Sequence, residues 1–297
     1  MKSGVLLLNK PKGIGSTLAV SKVRKLLNTK QVGHCGTLDP LAEGLLVITI
    51  GKALKISQYL EANVKEYITT VSLGKATATL DAEGEFILEK EINSFTKEDI
   101  LKVFDNFMGK TNQVPPIYSA LSKNGKRLYQ YARNNEEVQI PSREIEIYEL
   151  ELLSFSNTDI TYRIKCSKGT YIRVVNQDLA LALNNIGYTT FLKRTKVGTF
   201  TLDNAFTLSD LENDNYNLIS IKDSLEDFNK YYLNDFEYQI ISHGNIFKKY
   251  LAGYQLMIDK NGNEIAIYKG DEETNTTKCL RVFNWHKIET NNNVKMV

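Results

Sequence analysis

Asp39 is the residue of this sequence whose surroundings most favour chemistry. It stands in VGHCGTLDPLAEGLLVI, residues 32–48, where Gly33 and Gly36 permit backbone conformations that other residues avoid. Pro40 biases Asp39 away from helical geometry, so the carboxylate belongs at a stiff bend before an apolar run. A rigid carboxylate beside glycines can attack a flat substrate as a nucleophile. The same residues also fit an ordinary structural turn, and by themselves they leave both interpretations open.

Residues 113–133 combine positive charge with aromatic rings and contain no Asp or Glu. Their cations and rings are Lys123, Lys126, Arg127 and Arg133, with Tyr118, Tyr129 and Tyr131. This composition suits RNA, because cations meet phosphates while rings stack on bases. A solvated loop and helix is the alternative interpretation.

Charge is distributed unevenly, although the formal net charge of the 297 residues is only +2. Residues 1–60 carry nine Lys/Arg and two Asp/Glu, and residues 163–198 carry seven and one. Residues 199–241 carry two Lys/Arg and nine Asp/Glu. Two basic segments in a nearly neutral protein indicate a polyanion site assembled from distant parts of the chain. Simple solvation of a basic surface explains the same counts.

Strands and helices must position these residues. Apolar alternation and short apolar runs predict strands over residues 5–8, 45–50, 65–73, 145–155, 161–166 and 169–174. Ser16 or Thr17 can cap a first helix, and a capping box at Thr96 begins another that ends at Gly109. A further helix is expected over residues 175–183. From about residue 238 short strands dominate, and Asn261-Gly262 predicts a hairpin turn.

Composition excludes several classes of protein. With 42% hydrophobic and 24% charged residues the chain reads as globular and not disordered. No apolar run approaches the roughly 20 residues that span a bilayer, and no signal peptide is recognisable, so we expect a cytoplasmic protein. Cys35, Cys166 and Cys279 are far apart and fit neither a disulfide framework nor a metal site.

Five ordered segments resemble the TruB-type tRNA pseudouridine synthases, and the resemblance extends over nearly the whole chain. GHCGTLDPLAEGLLVI is similar to the catalytic motif of that family. The other segments are GVLLLNKPKGIGS at 4–16, KEYITTVSLG at 65–74, QVPPIYSALSKNGKRLYQYAR at 113–133 and CSKGTYIRVVNQDLA at 166–180. Five matches in the same order make a purely structural turn at Asp39 a poor explanation.

The resemblance implies a role for each residue that stands in these motifs. Asp39 would be the essential catalytic carboxylate. His34, in the same loop, would help to occupy the space vacated by a flipped nucleotide. Tyr67 would stack against the target uracil and could take part in proton transfer.

Three further residues would line or support the same site. Arg173 would pair with Asp39. Tyr171, two residues earlier in the predicted strand over 169–174, would share a face with Arg173 and line the site. Lys10 would be either a site-supporting cation or one that faces a phosphate.

The implied fold is an α+β catalytic domain with a mixed, largely antiparallel sheet over residues 1–235. An RNA-gripping insertion occupies about residues 110–145. A small β-rich domain resembling a PUA module follows over residues 236–297.

The implied activity is isomerisation of uridine 55 in the T loop of tRNA, which needs no cofactor and no metal. The partner would be the T arm of tRNA, and the protein would be a monomer without a membrane or protein partner. Two rivals are a tRNA-folding chaperone without chemistry and a guide-RNA-dependent relative that modifies ribosomal RNA. The intact set of Asp39, Tyr67 and Arg173 argues against the first, and the bacterial-style insertion and short C-terminus against the second.

Three positions depart from the pattern of the family. Cys35 stands where threonine is usual, Ala78 where Asp is usual, and Ser122 where lysine is usual. None of them alters the residues to which chemistry is assigned.

Overall fold

The computed structural model describes residues 3–61, 63–134 and 136–283. Two compact units are present. The larger unit consists of Leu6–Ile48 and Glu61–Asn217, and the smaller unit brings together, among the described residues, 3–5, Thr49–Leu60 and 218–283. The predicted boundary between residues 235 and 236 falls inside the smaller unit.

Strands provide most of the framework. They are β1 Gly4–Lys10, β2 Val32–Cys35, β3 Glu43–Ile50, β4 Val64–Leu73, β5 Lys75–Thr77, β6 Phe86–Glu89, β7 Gly109–Gln113, β8 Ser122–Lys123, β9 Lys126–Arg127, β10 Arg143–Phe155, β11 Asp159–Ser167, β12 Gly187–Val197, β13 Phe200–Thr201, β14 Asn229–Tyr232, β15 Tyr254–Ile258, β16 Glu264–Asp271 and β17 Thr276–Val282. The main sheet has the order β1-β3-β12-β4-β11-β10-β7. Strands β3 and β12 are parallel, whereas β12, β4, β11, β10 and β7 pair antiparallel. The predicted α+β fold with a mixed, largely antiparallel sheet is confirmed.

The helices are shorter and pack on this framework. They are α1 Ser16–Leu26, α2 Ser57–Leu60, α3 Lys97–Phe107, α4 Leu128–Arg133, α5 Ile172–Ala182, α6 Leu208–Glu212, α7 Ile221–Ser224 and α8 Asp235–Ile241. The predicted capping box of α3 is confirmed, because Thr96 Oγ1 accepts from the Asp99 N–H while Asp99 accepts from the Thr96 N–H. The predicted side-chain cap of α1 is wrong, since its N-cap residue is Gly15.

The predicted strand over residues 169–174 is also wrong. Thr170 closes a turn on the Ser167 carbonyl, Tyr171 is the N-cap residue, and α5 begins at Ile172. The first five residues of α5 are all buried, and the helix packs on β4 and β12. A short apolar run buried on several sides does not distinguish a strand from a helix. Tyr171 and Arg173 therefore share a helix start and not a strand face.

The smaller unit contains a four-stranded sheet in the order β14-β15-β16-β17. Strand β14 pairs parallel with β15, which places residues 229–232 in the C-terminal sheet. The predicted hairpin is confirmed, because β15 and β16 pair antiparallel across the turn that contains Asn261 and Gly262. The cluster of buried residues beneath this sheet includes Leu233, Ile241, Phe247, Met257, Ile265, Ala266, Tyr268 and Val282.

Candidate active site

The loop that carries Asp39 connects β2 to β3 and is fixed by the start of α1. The Ser16 hydroxyl accepts from the Leu38 N–H at 2.8 Å and donates to the Leu38 carbonyl at 3.1 Å. The Gly13 N–H donates to the Pro40 carbonyl at 2.8 Å. Residues on both sides of Asp39 are thus held by hydrogen bonds, so the carboxylate starts from a defined backbone.

Arg173 and Asp39 form the ion pair that the family resemblance implies. Arg173 Nε lies 2.9 Å from Asp39 Oδ2, and the Arg173 side chain is 4% exposed against 36% for Asp39. The buried carboxylate of Asp81 lies 3.6 Å from the same Nε. Arg173 Nη1 and Nη2 donate to the carbonyl oxygens of Thr79 at 2.6 Å and Tyr118 at 3.0 Å. The guanidinium therefore joins the Asp39 loop to two other segments.

Arg173 occupies an unfavourable place for a cation, the first turn of α5. The N-terminal end of a helix carries partial positive charge, which repels a guanidinium. Two carboxylates and two carbonyl oxygens around Arg173 compensate for this repulsion. The arrangement holds the guanidinium in an ion pair with Asp39, although its Nε–H makes no hydrogen bond.

A second buried guanidinium, that of Arg194 on β12, contacts the backbone of the same loop at Gly36 and Thr37. It is fully buried, and its Nε donates to the Leu45 carbonyl at 2.8 Å. Its Nη2 donates to Gly36 O at 3.1 Å and its Nη1 approaches Thr37 O at 3.4 Å. No carboxylate within the described ranges 3–61, 63–134 and 136–283 forms an ion pair with it. Backbone carbonyls of the loop and of β3 thus accept from this cation, and its positive charge also acts on Tyr67, where it opposes the rise in pKa.

Asp39 lies at a cavity of about 570 Å³ that also exposes Tyr67, Tyr171 and Arg173. Tyr67 projects from β4 and is 7% exposed, and burial raises its pKa. Tyr171 is fixed by Gln113, whose amide accepts from the Tyr171 N–H at 2.8 Å and donates to its carbonyl at 3.1 Å. The structure thus brings four of the six predicted site residues together.

His34 and Lys10 do not line this cavity. His34 lies in β2, where burial, followed by the positive charge of Arg194, lowers its pKa. Its part in replacing an extruded nucleotide stays a prediction. Lys10 is fully buried, and its Nζ donates to the carbonyl oxygens of Pro11 at 2.9 Å and Ile14 at 2.6 Å. The phosphate-facing alternative for Lys10 is therefore wrong, and its ammonium supports the turn before α1.

A larger depression of about 890 Å³ is lined by residues between 117 and 139. Its lining includes Glu136 and Glu137 but no Lys or Arg among the described residues, so it does not suit an RNA phosphate. No group of three or more His, Cys, Asp or Glu in the described part of the chain is placed to hold a metal ion. Within the same part, no helix has the length and apolarity to cross a membrane.

Comparison with known proteins shows the family to which this chain belongs. The family model for the N-terminal domain of TruB family pseudouridylate synthases matches residues 24–172, which include Asp39, Tyr67 and Tyr171. The chain belongs to the TruB family. It is 40% identical to the tRNA pseudouridine synthase B of Oceanobacillus iheyensis over 94% of this chain and 97% of that protein. It is 38% identical to that of Mycoplasma mycoides subsp. mycoides, over 91% and 90% respectively.

Solved structures support the fold of this TruB-family chain. A Cbf5-Nop10-Gar1 complex contains a chain that matches with a TM-score of 0.70 at 22% identity, covering 95% of this chain and 85% of that one. An H/ACA RNP bound to a substrate RNA containing 2′-deoxyuridine matches with a TM-score of 0.68 at 21% identity, over 95% and 85%. At this level of identity the likeness concerns the fold alone.

Sequence reasoning missed two residues of the site, Asp81 and Arg194. Asp81 follows three residues after Ala78 and supplies a buried carboxylate in the turn where the family pattern places an Asp at 78. Arg194 stands in FLKRTKV, where neighbouring cations suggest a solvated surface. The available signal was the two-residue alternation of β12, which puts Arg194 on the same face as the buried Leu192.

Proposed function

We propose that this chain is a tRNA pseudouridine synthase that isomerises uridine 55 in the T loop, with Asp39 as its catalytic carboxylate. The observation that carries the proposal is the 2.9 Å pair between Arg173 and Asp39 beside the cavity of a TruB-family chain. Relatives that match over more than nine tenths of the chain bear the name tRNA pseudouridine synthase B.

The reaction breaks the bond between uracil N1 and ribose C1′, turns the base, and joins C5 to C1′. No atom is gained or lost, so the reaction itself requires no cofactor. The chemistry requires a carboxylate near C1′ and C6 whose oxygens remain accessible. The Asp39 side chain meets this condition, since one oxygen faces Arg173 while 36% of its surface stays exposed. A covalent adduct on Asp39 and a glycal intermediate are both compatible with this arrangement.

The target uridine must leave its stack before Asp39 can reach it, which costs a few kcal/mol. Stacking of the extruded uracil on Tyr67, which lines the cavity, would offset part of this cost. Tyr171 would form the opposite part of the lining. The Arg143 guanidinium lies 4.7 Å from the Tyr171 ring centroid and limits its movement.

Cations around the cavity favour an RNA substrate. Arg127, Arg143 and Lys168 line it together with Arg173, against the carboxylates of Asp39 and Glu61. Arg127 belongs to the basic, tyrosine-bearing stretch predicted to grip RNA. Contacts with phosphates and with RNA shape would thus surround one extruded base.

The C-terminal sheet is assigned an accessory role in RNA binding, as a PUA-like module over residues 236–297 and the strand before it. Several tyrosines of the smaller unit carry a lysine ammonium over the ring. The pairs are Lys249 over Tyr231, Lys222 over Tyr232 and Lys269 over Tyr254, at 4.9, 5.8 and 5.1 Å. Alternating cations and rings suit a phosphate backbone and exposed bases.

The protein would act alone, as a cytoplasmic monomer without a protein partner. The test is to incubate the purified chain with a bare T-arm hairpin and to measure pseudouridine. Conversion of the single target uridine by the protein alone is expected. Conversion that requires a guide RNA or a second protein, or no conversion at all, would contradict the proposal.

A further inference from the structure

Lys65 is a cation of the cavity wall to which the reaction described above gives no role. It precedes Tyr67 by two residues on β4, so both side chains project from the same face of the strand. Both also line the cavity. A Cβ placed on Gly36 would lie 3.2 Å from Lys65 Nζ, so the ammonium reaches the loop three residues before Asp39.

The Lys65 ammonium forms no ion pair and no hydrogen bond with the residues that the structure describes. The groups that act on it electrostatically are Glu61, Arg194, Lys168 and the Cys166 thiol. Glu61 is not within ion-pair distance, and Arg194 and Lys168 are like charges. Burial and then the charge of Arg194 lower the pKa of Lys65 to about 8. A half-buried ammonium without a counter-ion lowers the folding stability of the free protein, and it is available to bind an anionic group of a ligand.

We propose that Lys65 binds a backbone phosphate that flanks the extruded nucleotide, and so positions the RNA strand at the cavity. The inference rests on the proposed function, since it presumes an RNA substrate. Residues two apart on a strand lie about 7 Å apart, roughly the distance from a stacked base to its own phosphate. With the uracil against Tyr67, a phosphate therefore falls near Lys65. Lys168 is exposed and lines the same cavity, so it can supply a second cation to this phosphate.

A phosphate contact predicts a specific dependence on pH. The Lys65 amine of the free protein loses its proton above about pH 8, so RNA affinity should fall as the pH rises from 7 to 9. Lys65→Arg keeps its charge throughout this range, and its affinity should fall less. The pKa of Lys10 is also lowered to about 8. Lys10 and the RNA are the same for the wild type and for Lys65→Arg, so their titrations cancel when the two proteins are compared.

The decisive comparison uses Lys65→Met and, as its control, Lys102→Met on the exposed side of α3. Binding of a T-arm hairpin is measured in the Asp39→Asn background, which prevents turnover. Lys65→Met should weaken binding roughly tenfold and reduce the slope of log affinity against log salt by about 0.7–0.9. Lys102→Met should change neither quantity. Single-turnover rates at sub-saturating enzyme, measured with Asp39 intact, should fall for Lys65→Met about as much as the affinity, because less RNA is bound, and should stay at the wild-type value for Lys102→Met.

A merely structural role for Lys65 gives a different result. Removal of an unpaired, partly buried cation should leave the thermal stability of the free protein unchanged or raised, whereas loss of a structural contact lowers it. Lowered stability of Lys65→Met, or affinity and salt slope equal to those of the control, would overturn the inference while wild-type turnover upheld the proposed function. Failure of the wild-type protein to bind and convert the hairpin would overturn both.

Discussion

Two buried arginines hold the Asp39 loop, and they do so by different chemistry. Arg173 meets the carboxylates of Asp39 and Asp81 and two carbonyl oxygens. Arg194 forms no ion pair with a carboxylate of the described residues and donates to carbonyl oxygens, of which those of Leu45 and Gly36 lie within 3.1 Å. A guanidinium that binds a side chain can orient a reacting group, whereas one that binds the backbone fixes the course of the loop. The two positions should therefore fail in different ways when they are changed.

Arg173 should give the largest effect on chemistry. Arg173→Ala removes the orienting cation and should lower the single-turnover rate by about 10²–10³-fold, with a much smaller loss of RNA affinity. Arg173→Lys should restore only part of the rate, because ammonium is a point charge without the planar fork of guanidinium. Rates at saturating enzyme and binding at two salt concentrations measure these effects.

An alternative role for Arg173 is contact with a phosphate. That role predicts an unchanged single-turnover rate together with weaker and less salt-dependent binding. This outcome would show that Arg173 does not orient Asp39, and the proposed difference between Arg173 and Arg194 would be wrong.

Arg194 should give its main effect on stability. Arg194→Met leaves the buried carbonyls of Leu45 and Gly36 without donors and should lower the free energy of unfolding by about 1–3 kcal/mol. Arg163→Met is the matched control, because Arg163 lies on β11 in an exposed pair with Glu151 and should change stability by less than about 1 kcal/mol. Equal stability of the two variants in chemical denaturation would show that Arg194 does not fix the loop.

Lys10 is a third buried cation that donates to carbonyl oxygens. Unlike the two arginines, it can lose its proton. Its pKa of about 8 in the fold lies below the ordinary 10.5, so the unfolded chain binds more protons between these values. Stability contributed by this residue therefore rises with pH over that window. Between pH 8 and pH 10, the free energy of unfolding of the wild type should therefore increase relative to that of Lys10→Met. A difference that stays constant would contradict the lowered pKa.

The sequence predicted most of the sheet because β-branched and apolar residues alternate with polar ones along its strands. It also placed Tyr67 correctly on β4, since the alternation there is regular. The segment Gly169–Val174 was misassigned because TYIRVV has the composition of a strand, and only its packing on β4 and β12 shows that residues from Ile172 form a helix.

The two missed site residues share one physical cause. The burial of Arg194 depends on β12 lying between β3 and β4, a pairing between residues more than a hundred positions apart. Asp81 likewise meets Arg173 only through the folded chain. Local patterns predict elements, but they do not predict which charged side chains the pairing of distant strands will enclose.

Turnover by Asp39→Asn tests the central claim most directly. Purified wild-type and variant proteins are incubated with the T-arm hairpin, pseudouridine is measured in single turnover, and binding is measured in parallel. We expect conversion by the wild type, no detectable product from the variant, and little change in RNA affinity, because binding is spread over many cations whereas the chemistry depends on one carboxylate. A single-turnover rate of Asp39→Asn near that of the wild type would contradict the assignment of Asp39.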